Sequence, residues 1–179
     1  MHQQSLPHHR RLSQSQATAI GDLVWPRPYF PTRWERAQWV ASLLPSWAIA
    51  SGITAGWVWT GMGYPTPWQV LREELPGLSP LERVDWQARL RSRAHHTVEA
   101  IGELRLLSTK STAIEVLLGG GNSDAGAAQL LFLRGANTPL DELLDKRRTS
   151  SSARHHAGVM LERAKMLRAR YPDITRYTS

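Results

Sequence analysis

The chain reads as an α+β fold: a single domain in which a small mixed or antiparallel sheet packs with helices, followed by a C-terminal helical segment. Three observations predict this. Apolar residues recur at helical spacing before residue 61 and again after residue 108, and the stretch between them alternates apolar with polar residues. The length, 179 residues with 41% hydrophobic and 21% charged, suits one domain with a real core and no internal repeats.

The first 31 residues are expected to be a disordered or extended segment. Residues 1 to about 22 are polar and rich in Ser, Gln and His, a composition expected to stay mostly disordered. WPRPYFPT follows, and its prolines forbid a continuous helix. The folded domain is then assigned to residues 32–170, with 171–179 as a tail.

Thr32 and Glu35 form a capping box for a helix over 33–44, whose buried face is predicted as Trp34, Ala37, Val40, Ala41 and Leu44. WAIA, after Pro45 and Ser46, is a short apolar strand. Ser51 can cap a second helix through SGITAGWVWTG, which Gly61 and Gly63 end. WQVLREE, VDWQARLRSR and HHTVEA alternate as strands do, and Gly102-Glu103 makes a hairpin turn between VEAI and LRLLS. Ser108 caps a helix over 109–118, another spans 124–133, and Thr138 caps a short one through TPLDELLDKRR. The last runs over about 152–170, with Ala157, Met160, Ala164, Leu167 and Tyr171 as its apolar stripe.

Composition narrows the function. Without cysteine there is no disulfide scaffold, thiolate zinc site or cysteine nucleophile, and a reducing cytoplasm is the expected compartment. No apolar run reaches bilayer length, and the N-terminus has no signal-peptide core, so no membrane partner is expected. The 22 basic residues outnumber the 15 acidic ones, and the excess is concentrated. Between Lys146 and Ser179, nine basic side chains face only Glu162 and Asp173, so that segment alone accounts for the net charge of +7. Such a segment attracts polyanions, and Arg147, Arg148, Arg154, Arg163, Arg168 and Arg170 are the candidate nucleic-acid contacts, made chiefly to phosphates and weakly. A purely solvated face is the alternative. A second basic stretch, Arg83, Arg89, Arg91 and Arg93, would carry any contact made elsewhere.

Catalytic patterns are missing. A restriction-type nuclease needs an acidic residue two before a lysine, but Lys110, Lys146 and Lys165 follow Ser108, Leu144 and Arg163. A nucleotidyltransferase needs two aspartates one residue apart, which do not occur. GGGNSDAG follows a helix and lacks the Gly-Lys-Ser/Thr ending of a phosphate loop, so it reads as a helix end and linker. The pairs His8-His9, His95-His96 and His155-His156 place neighbours on different faces, which makes poor chelates. No enzymatic activity, cofactor or metal is therefore expected. Trp34, Trp47, Trp57 and Trp59, in small or apolar surroundings without interleaved arginine, read as core rather than as stacking platforms.

One resemblance ties these elements together. AIASGITAGWVWTG, then the β-rich stretch, then IGELRLLSTKSTAIEVLL resemble, over about residues 32–170, the C-terminal domain of AbiEi-like antitoxins. These belong to type IV toxin–antitoxin (abortive infection) systems, many of them actinobacterial. The matching positions are Ser51, Gly52, Thr54, Ala55, Trp57 and Gly61, then Gly102, Ser108, Thr112, Ala113, Glu115 and Leu117. Residues 1–31 are too short for the family's usual operator-binding winged helix-turn-helix, Glu115 stands for the usual Asp, and Thr109 for a frequent Pro. The resemblance implies a non-enzymatic antitoxin-like regulator, with DNA binding and transcription regulation as family traits. It implies a nucleotidyltransferase-like toxin as functional partner, counteracted without a stable complex. The competing expectation is a protein-interaction module that binds through an apolar or aromatic patch and not to nucleic acid.

Overall fold

The computed structural model describes residues 17–20, 23–26, 32–65, 67–73, 86–91, 96–119, 124–134 and 150–170. The expected short helix after Thr138, together with Arg83, Arg93, His8, His9, His95, Arg147, Arg148 and Tyr171, lies outside these residues.

Within the segment expected to be disordered or extended, strand β1 (Ala17–Ile20) pairs antiparallel with β2 (Leu23–Pro26). Helix α1 (Arg33–Leu43) carries the capping box, with the Thr32 hydroxyl accepting from Glu35 N and the Glu35 carboxylate accepting from Thr32 N. Its buried face is Arg36, Ala37, Val40 and Leu44. Trp34, expected in that face, is 58% exposed, with Arg33 over its ring. At 3.6 residues per turn, Trp34 projects about 100° from the centre of the buried arc, whereas Arg36 lies inside it.

Two residues of WAIA form strand β3 (Ile49–Ala50), which leads into α2 (Gly52–Thr60). Strands β4 (Trp68–Arg72), β5 (Trp86–Leu90), β6 (Val98–Ile101) and β7 (Leu104–Leu107) complete a five-stranded mixed sheet in the order β5-β4-β3-β7-β6. The β4–β5 and β3–β7 pairs are parallel, and β3–β4 and β6–β7 are antiparallel. The β6–β7 hairpin turns at Gly102, whose φ of 58° is the left-handed conformation that glycine adopts without a Cβ penalty. Helices α3 (Thr109–Leu118), α4 (Asp124–Arg134) and α5 (Ser151–Arg170) follow. Ser108 caps α3 by accepting from Ser111 N, as its position before the apolar run predicts.

Helix α2 is the hub. It packs on β4 and β7, on α1, and on α3 and α4, while α5 packs on α3 and α4. The interior accordingly has two main apolar clusters. One holds Val40, Ile49, Val58, Leu71 and Leu106 among the sheet, α1 and α2; the other holds Leu117, Leu130, Ala157 and Met160 among α3, α4 and α5. The architecture is a single α+β domain.

The stretch from Ser51 to Gly61 is the joint between sheet and helices. Gln69 of β4 binds the first turn of α2 on three sides. Its carbonyl accepts from Ser51 N at 3.0 Å, its N–H donates to the Thr54 hydroxyl at 2.7 Å, and its Oε1 accepts from Ile53 N at 3.1 Å. The carboxamide thus caps α2, a role expected of the Ser51 hydroxyl, which is buried and makes no hydrogen bond. Gly52 has a φ of 47°, and a Cβ there would stand 2.0 Å from Gln69 Oε1, so the close approach requires glycine. At the other end Gly61 adopts a φ of 73°, and buried Arg36 donates from Nε to Val58 O at 2.9 Å. A guanidinium suits the partial negative charge of a helix C-terminus, although desolvation lowers its pKa to about 10.

Candidate nucleic-acid interface

Helix α5 presents four of the six candidate arginines. Its 20 residues bury Ala157, Met160 and Ala164 and half-bury Leu167, as the stripe predicts. Arg154, Arg168 and Arg170 are exposed and Arg163 is half-buried. The four do not form a single track. At 3.6 residues per turn, Arg154, Lys165 and Arg168 share one flank about 60° wide, and Arg163 and Arg170 share the opposite one. The spacing of residues 154, 163, 168 and 170 against a 100° step is what divides them.

Between the flanks, over an outward arc of about 140°, stand His155, Gly158, Val159, Glu162, Met166 and Ala169. Val159 is 41% and Met166 65% exposed. An open groove of about 680 Å³ runs along this arc, lined among the described residues by His155, Gly158, Val159, Glu162, Arg163 and Met166. A Cβ at Gly158 would meet nothing within 4 Å. Lys165 reaches back to Glu162 at 2.6 Å, an exposed pair of little energetic weight that partly neutralises the one acid on the arc.

The second basic stretch behaves differently. Arg89 of β5 pairs with Glu115 of α3, and Arg91 and Arg105 both pair with Glu73. Arg91 also donates to the backbone carbonyl of His96 at 2.9 Å. These arginines join sheet to helix and strand to strand. Glu115 is buried beside buried His96, with Nε2 to Oε1 at 2.8 Å. Burial on its own would raise the Glu115 pKa; the hydrogen bond from His96 and the charge of Arg89 overcome it and hold it at about 2. An ionised carboxylate only accepts, so His96 donates from Nε2. Glu115 thus bridges Arg89 and His96 through its two carboxylate oxygens.

The tryptophans divide as well. Trp57 is core, and Trp59, half-buried, donates from Nε1 to Leu107 O at 2.8 Å. Trp47, read as lying in apolar surroundings with no arginine interleaved, has Arg72 4.4 Å from its ring centroid, a contact from the end of β4 to the turn before β3 that residue order does not show. Trp39, Trp57, Tyr64 and Trp68 form a group with centroids 5.5–5.8 Å apart in edge-on or tilted contacts. Tyr64, at its rim, is 48% exposed, and its pKa is raised by desolvation. Sequence reasoning gave Trp39, Tyr64 and Trp68 no part in a site, although YPTPW carries a signal: two rings spaced by prolines at the entry to a strand. It also passed over Gln69 and Gln129, the latter a polar side chain in the apolar run AAQLL.

Among the described residues no group of three or more His, Asp or Glu could hold a metal ion, and no helix is long and apolar enough to cross a membrane. Compared with protein-family models, curated proteins and solved structures, the chain matches none.

Proposed function

We propose that this chain is a non-enzymatic, antitoxin-like regulatory protein of a type IV toxin–antitoxin system that contacts nucleic acid through α5. The observation that carries the nucleic-acid reading is the exposure of Arg154, Lys165, Arg168 and Arg170, with half-buried Arg163 beside them, on a helix that buries Ala157, Met160 and Ala164. The antitoxin reading rests on the resemblance. The roles of Gly52, Thr54, Trp57 and Gly61 in the α2 joint are consistent with it, because they give those residue types a shared structural purpose. The functional partner is a nucleotidyltransferase-like toxin, opposed without a stable complex in the cytoplasm.

Two measurements test this. Affinity for duplex nucleic acid should fall steeply with salt, and changing Arg154, Arg163, Arg168 and Arg170 to Gln should flatten the slope by about 0.9 per lost phosphate contact while the fold is retained. No binding by the parent at low salt defeats the nucleic-acid part. Co-expression should restore growth to cells carrying a nucleotidyltransferase-like toxin encoded beside this chain; growth arrest that persists defeats the antitoxin part.

A second reading, a protein-interaction module without nucleic-acid binding, is favoured by the Trp39–Tyr64–Trp68 rim. It predicts that Tyr64→Ala abolishes partner binding and leaves any effect of salt on nucleic acid untouched.

A further inference from the structure

We draw no further inference here: the strongest candidate, the exposed apolar arc of α5 around Val159 and Met166 with its open groove, carries nothing because nothing in the structure shows what covers it.

Discussion

The α2 joint and helix α5 use the same kinds of residue to opposite ends. In the joint, polar and charged groups turn inward: Gln69 serves three groups of the first turn of α2, Arg36 caps its last turn, and Gly52 and Gly61 make room for them. On α5 the arginines turn outward, and the core contact is made by two alanines and a methionine. Charge counted along the sequence therefore mixes arginines that tie the fold together, such as Arg36, Arg89, Arg91 and Arg105, with those that stand at the surface of α5.

The largest expected effect lies in the joint. Trp57 is buried edge-on against Trp39 and Tyr64, with centroids 5.6 and 5.5 Å away. Trp57→Ala should cost roughly 3–5 kcal/mol, read from the denaturation midpoint. A midpoint within error of the parent would mean that the ring belongs to a surface site, and the contrast between inward and outward regions would fail.

Glu115 gives the next effect. Its folded pKa of about 2 lies below the ordinary 4.5. A carboxylate with a depressed pKa stabilises the fold above the unfolded value, and that contribution is lost as pH falls through the folded one. At one unit per 1.36 kcal/mol, roughly 3 kcal/mol should disappear between about pH 4.5 and 2. Glu115→Gln should be less stable than the parent at neutral pH, and the gap should close over that window. A gap that stays constant with pH would mean that the Arg89 and His96 contacts carry no net charge stabilisation.

How much of this was legible depends on range. Local signals held: the capping box at Thr32 and Glu35, the Ser108 cap and the Gly102 turn are each set within a few residues, and each stands where the spacing puts it. The stripe of α5 also held, because Ala157, Met160 and Ala164 share a face by helix geometry alone. What the sequence did not show are pairings across long separations. The cap of α2 comes from Gln69 rather than from Ser51, which occupies the cap position, and the Trp47–Arg72 stack joins residues remote in the chain. The division of the α5 arginines into two flanks, by contrast, follows from 3.6 residues per turn and was available in the sequence.

Two glycine substitutions sharpen the comparison most directly, because one chemical change should act with opposite sign in the two regions. In α2 a Cβ at Gly56 would stand 2.0 Å from Gln129 Oε1. Gln129 is buried, and its Nε2 donates to Ile53 O at 3.2 Å and to Met62 O at 2.7 Å. Gly56→Ala must displace that carboxamide, and overpacking with loss of its bonds should cost about 1–3 kcal/mol despite the better helix propensity of alanine.

Gly158 in α5 has the same helical surroundings and no neighbour within 4 Å of a Cβ. There the intrinsic preference acts alone, since alanine lowers the entropy of the unfolded chain and the helix has space for the methyl. Gly158→Ala should stabilise by about 0.5–1 kcal/mol, seen as a small rise in the denaturation midpoint. The methyl adds no charge to the outward arc, so the salt slope of any duplex binding should not change. A destabilised Gly158→Ala would show that this arc is packed against protein, and α5 would then belong with the joint as a buried element instead of standing against it as an exposed one.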